Sequence, residues 1–114
     1  ERDISDYVTY TGDGETLVFD TVSGRFFRSS ANAIERAVNN VNRRLIDEYV
    51  ITMNDFYNEI NIPTIKAGSM IGYKSDNELM DIRFEADVDN NGQPYLVLDY
   101  VNRPLPLYNY YGCY

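Results

Sequence analysis

Leu79-Met80-Asp81-Ile82-Arg83-Phe84-Glu85-Ala86-Asp87-Val88 is the stretch whose reading decides the fold. Leu79, Asp81, Arg83, Glu85 and Asp87 fall on one side of an extended chain, and Met80, Ile82, Phe84, Ala86 and Val88 on the other. Successive strand side chains point to opposite faces, so this period of two describes a strand with one face on a core and one in water. Asn90-Asn91-Gly92 follows, and Tyr95-Leu96-Val97-Leu98-Asp99-Tyr100 returns. Asn-Gly takes up the positive φ that a tight hairpin turn needs, so the two runs are read as an antiparallel hairpin.

Working toward the N-terminus, a second hairpin is expected. Thr16-Leu17-Val18-Phe19-Asp20 is a run of β-branched and aromatic residues, Ser23-Gly24 turns the chain, and Arg25-Phe26-Phe27-Arg28 returns. Before it lie a short strand candidate at Tyr7–Tyr10 and a turn at Thr11–Gly14. Ser29-Ser30 then signals a helix start, with Asn32 and Glu35 as an alternative capping box. Ile34, Ala37, Val38, Val41 and Leu45 recur at steps of three and four, which predicts an amphipathic helix over about 31–48.

Between the helix and the second hairpin, Tyr49-Val50-Ile51 reads as an extended link. Thr52 and Asp55 have the spacing of a cap, and Met53, Phe56, Tyr57 and Ile60 form the apolar stripe of a short helix. Pro63 ends it, because proline disfavours helix in the residue before it. Residues 64–72 read as a loop with a trace of strand at Met70-Ile71. The expected fold is α+β: two β-hairpins in a mostly antiparallel sheet, with one long and one short helix on one face. Ile34, Val38, Val41 and Leu45 should face Ile82, Phe84, Leu96 and Leu98. Residues 1–103 are expected to form a single domain, and 104–114, with Pro104, Pro106 and four tyrosines, a C-terminal arm.

The chain has 114 residues and a formal net charge of −8. That length builds one core. The charge opposes a phosphate backbone at long range, so most of Arg25, Arg28, Arg36, Arg43 and Arg44 are read as solvated-face residues and no nucleic-acid partner is expected. No apolar run approaches the ~20 residues that span a bilayer, so this segment is not expected to contact a membrane itself.

Functional chemistry is constrained by what is missing. Without histidine there is no Ser-His-Asp or Cys-His arrangement. The single cysteine, Cys113, makes neither an internal disulfide nor a zinc cluster, and no GxxxxGK phosphate loop occurs. Asp87-Val88-Asp89-Asn90-Asn91-Gly92 matches the first half of a calcium loop, in which alternate oxygens from Asp87, Asp89 and Asn91 would converge on the ion. The match stops there: Leu98 stands where a bidentate glutamate belongs, and Pro94 interrupts the loop. A polar hairpin turn is the simpler reading. Asp81, Glu85 and Asp87 offer carboxylates for a small hydrolase, but interleaved with Arg83 they read as a solvated sheet face. The expectation is therefore a chain that is not an enzyme and has no cofactor, calcium at the 87–92 turn being the alternative. Tyr108, Tyr110, Tyr111 and Tyr114 are the candidate interface residues, since tyrosine gives large contact area at low entropy cost. A protein partner or self-association is expected.

Three stretches, Gly14–Asp20 running into Ser23–Ser29, Met53–Ile60, and Asn91–Tyr100, together with the helix between the first two, resemble a domain family of unknown function carried by phages and prophages of Gram-positive gut bacteria. The resemblance spans roughly residues 14–111 and contains no catalytic signature. It implies a phage or prophage origin and a location in the host cytoplasm, or tethered to a membrane by a hydrophobic region upstream of Glu1. The tail Tyr-Asn-Tyr-Tyr-Gly-Cys-Tyr departs from the basic ending of that family.

Overall fold

A computed structural model describes residues 16–107. In chain order they form β1 (Thr16–Asp20), β2 (Arg25–Ser29), α1 (Ala31–Glu48), β3 (Val50–Thr52), α2 (Met53–Glu59), a 3-10 turn (Lys66–Ser69), β4 (Ile71–Lys74), β5 (Ile82–Val88), β6 (Pro94–Tyr100) and β7 (Leu105–Pro106). The fold is α+β. Both expected hairpins are present: β1 pairs antiparallel with β2, and β5 with β6. They join through a parallel pairing of β1 with β6, Val18 opposite Leu96, giving the order β2-β1-β6-β5. A separate antiparallel sheet, β3-β4-β7, forms from the expected link, the expected loop and the first residues of the expected arm.

Each helix begins where its cap chemistry directs. The Ser30 hydroxyl accepts from Ala33 N–H at 3.1 Å, so Ser30 rather than Asn32 caps α1. For α2, Thr52 and Asp55 form a reciprocal capping box: Asp55 N–H donates to Thr52 Oγ1 at 3.1 Å, and Thr52 N–H to Asp55 Oδ2 at 2.9 Å.

The core lies between α1, α2 and one face of the larger sheet. Ile34, Val41, Leu45 and Leu98 are fully buried, and Ile82, Phe84 and Leu96 pack against them, as the period-two and period-3.6 patterns require. The opposite face is not uniformly wet. Leu17, Phe19, Phe26 and Tyr95 form a second buried cluster there, with Phe19 and Phe26 rings 4.8 Å apart and Tyr95 edge-on to Phe26 at 5.2 Å. The cause is local sequence. Leu17-Val18-Phe19 and Phe26-Phe27 are continuous apolar runs, which supply both faces of a strand, unlike the alternation of β5.

The 79–100 hairpin turns through Asn90, Asn91 and Gly92. Gly92 N–H donates to Asp89 O and Asp89 N–H to Gln93 O, each at 3.0 Å, with Gly92 at φ +80°. A left-handed glycine closes the turn, as three-residue hairpin loops require. The apolar side of β5 sinks progressively less deep along the strand: Ile82 and Phe84 are half-buried, while Ala86 and Val88 are exposed.

Asparagine side chains stand in for missing strands. An amide presents a donor and an acceptor as a peptide does. Asn42 of α1 grips the Met80 backbone through both atoms at 2.9 Å, and Asn54 of α2 grips Ile65 at 2.9 and 3.0 Å. Asn102 accepts from Asp81 N–H at 3.0 Å and donates to Leu79 O. The chain remains part of the fold past Arg103: β7 pairs with β4, Leu107 N–H donates to Met70 O, and Leu107 is fully buried. The prolines fit because β7 is an edge strand.

Candidate functional site

The most chemically distinctive group is Asp20. Strand alternation places it on the same face as Val18, toward the helices, and it is fully buried. Its Oδ1 accepts from Tyr100 Oη at 2.6 Å. Its Oδ2 accepts from Tyr57 Oη at 2.7 Å, Ser23 Oγ at 2.6 Å and Ser23 N–H at 3.0 Å. Arg25 closes the outer side: Nε donates to Ser23 Oγ at 2.9 Å, Nη1 to Pro63 O at 2.7 Å, and the guanidinium lies 5.0 Å over the Tyr57 ring. Burial, then the neighbouring Asp20 charge, pushes the Tyr57 and Tyr100 hydroxyls well above the ordinary tyrosine range. They therefore stay protonated and keep donating. A buried carboxylate costs several kcal/mol unless its lone pairs are satisfied, and four donors satisfy this one. Closed to solvent and saturated, Asp20 ties β1, the β1–β2 turn, α2 and β6 together. It is built for structure.

The strand carboxylates are arranged differently. Glu85 and Asp87 lie along the open face of β5. Arg83 Nε is 3.9 Å from Glu85 Oε2, and Arg83 Nη2 is 3.4 Å from Asp99 Oδ2. Asp81 is exposed just before the strand. These are solvated pairs of the kind that contribute little to stability.

At the 87–92 turn, Asp89 Oδ1 accepts from Asn91 N–H at 2.9 Å and Gln93 N–H at 2.8 Å, so this carboxylate shapes the turn. Asp87 Oδ1 accepts from Val88 N–H at 2.8 Å and its Oδ2 from Tyr95 Oη at 3.3 Å. Among the described residues no group of three or more Asp, Glu or Cys side chains comes together as a metal site. Tyr108, Tyr110, Tyr111, Tyr114 and Cys113 lie outside the described residues.

The surface carries features that the interior does not use. At the C-terminal end of α1, Ile46 is 60% and Tyr49 62% exposed, one turn apart. Tyr49 takes the left-handed conformation, φ +73°, while its N–H closes the helix onto Leu45 O at 2.8 Å. Glycine is the usual residue there, because a Cβ in that conformation is strained. Farther along, exposed Leu79 and Val101 flank a recess of about 430 Å³ lined also by Asn42, Met80 and Asn102. Neither Asp20 nor Tyr49 stands out from the sequence as a site. The available signals were an aspartate at a core-facing register position and a tyrosine where a helix is due to end.

A family model described as a family of unknown function, DUF6353, matches residues 1–111. The chain belongs to that family. DUF6353 thus spans nearly the whole chain, including both hairpins, both helices and β7. No curated protein and no solved structure matches the chain. Among the described residues of this DUF6353 chain, no helix is long and apolar enough to cross a membrane.

Proposed function

We propose that this chain is a non-catalytic interaction or structural domain of phage or prophage origin that works by contact with protein, in the first place with further copies of itself. The origin rests on the residue pattern of the two hairpins and the helices between them. The contact reading rests on Tyr49. A large aromatic side chain stands exposed in a backbone conformation that glycine adopts with less strain, beside an equally exposed Ile46. Strain held at an exposed aromatic points to a use outside the fold. The absence of histidine and the saturation of Asp20 fit a role without bond chemistry.

The test is the variant Tyr49→Gly combined with Ile46→Ser. If the pair serves contact, the melting temperature holds or rises, because the left-handed strain is relieved. Association measured by light scattering falls. A melting temperature lowered by several degrees would make the pair part of the fold and remove the support for this reading.

A further inference from the structure

We infer that the outer edge of β5 is a self-pairing surface: two copies join β5 to β5 antiparallel about Phe84, continuing one four-stranded sheet into the other. The inference rests on the self-association proposed above and adds to Ile46 and Tyr49 a second surface of contact between copies.

Three observations carry it. First, β5 closes one side of the larger sheet, and among the described residues no strand pairs with its outer edge. Val101 N–H donates to Asp81 O, so the odd-numbered residues of this strand bond inward to β6. By alternation, the peptide groups of Ile82, Phe84 and Ala86 point outward. Second, Val88 N–H is already taken by Asp87 Oδ1 at 2.8 Å, which shuts the edge beyond Ala86 and leaves those three residues as the pairing segment. Their midpoint is Phe84.

Third, pairing about Phe84 matches side chains on both faces. Arg83 falls opposite Glu85 of the second copy, twice by symmetry, and opposite charges directly across an antiparallel pair attract. Phe84 meets Phe84, and Ile82 meets Ala86, an apolar residue that the single chain leaves exposed. Charges along an edge ordinarily keep strands apart. Here the order Arg83, Phe84, Glu85 is complementary to itself when reversed.

Charge reversal tests this on the full chain, with melting temperature as the control for folding. Arg83→Glu sets four carboxylates together and should weaken association about tenfold. Arg83→Glu with Glu85→Arg restores the opposite pairing and should recover it. In the wild type, amide exchange at Ile82, Phe84 and Ala86 should slow as concentration rises. An unchanged association in folded Arg83→Glu, a swapped variant that stays dissociated, or a wild type monomeric throughout would each overturn the inference. Association lost on changing Ile46 and Tyr49 but indifferent to Arg83 would overturn the β5 surface alone and leave the contact reading standing.

Discussion

Asp20 shows how one residue can fix the relation of several elements. Its carboxylate is reached by hydroxyls from α2 and β6 and by both polar groups of Ser23, so slippage of any of these against β1 would leave a buried charge short of donors. Removing one donor tests this. Tyr100→Phe keeps the ring, which meets Phe56 edge-on at 6.2 Å, and removes only the hydroxyl. A hydrogen bond to a charged group is worth about 1.5–3 kcal/mol, and urea unfolding at neutral pH should show a loss of that size. The same hydroxyls set the alkaline limit. Tyr57, Tyr73 and Tyr100 are all held above the ordinary tyrosine value, chiefly by burial. A group whose pKa is raised by folding contributes its full share of stability below its unfolded pKa and loses it as pH rises beyond. Stability should therefore fall above pH ~10, the unfolded tyrosine value, and fall less steeply in Tyr100→Phe. A loss under ~0.5 kcal/mol with an unaltered alkaline limb would mean that the network carries little of the stability.

Elements were legible to the degree that their signals were local. The capping box of Thr52 and Asp55, the 3.6-period stripe of α1 and the alternation of β5 each lie within a few residues, and each element forms where its signal lies. The smaller sheet was not legible as a sheet. Its strands, β3, β4 and β7, have two to four residues each and meet from distant parts of the chain. Its one sequence mark is Gly72, whose reason lies in packing. A Cβ there would sit 1.9 Å from Ile51 O and 2.8 Å from Thr52 Cα. Gly72→Ala must therefore push β4 away from β3. At Gly92 a Cβ meets nothing within 4 Å, and only the left-handed φ opposes it. Gly72→Ala is expected to lower the urea midpoint clearly more than Gly92→Ala, whose cost is about 1–2 kcal/mol. The reverse order would show that the β3–β4 contact is soft.

For the whole molecule, the feature furthest from the sequence is the parallel pairing of β1 with β6, which turns two hairpins into one sheet. No local pattern distinguishes it from two separate hairpins. Only the joint burial of Val18 and Leu98 in a single core, with Asp20 beneath Tyr100, selects it. The candidate surface was harder still to read. Ile46 sits among polar helix residues and Tyr49 at a helix end, so their exposure becomes visible only in the folded chain. Charge also acts at this scale. Each copy carries −8, so two copies repel at long range, and salt screens that repulsion within about 8 Å at physiological strength. Association that buries a small edge against this repulsion is expected to be weak, in the micromolar to millimolar range.

The most direct test of self-contact is the mass of the full chain in solution, measured by light scattering across a concentration series from ~10 µM to ~1 mM at physiological salt. A chain ending at Leu107, which keeps β7 and the buried Leu107 side chain, is measured beside it. The expected result is a mass that climbs from the single-chain value, 13.2 kDa for the full chain, toward twice the single-chain value in both chains, since the proposed surfaces lie within residues 16–107. A mass that stays at 13.2 kDa at every concentration would contradict the account. A rise confined to the longer chain would move the contact to Tyr108, Tyr110, Tyr111 and Tyr114 and away from β5 and Tyr49.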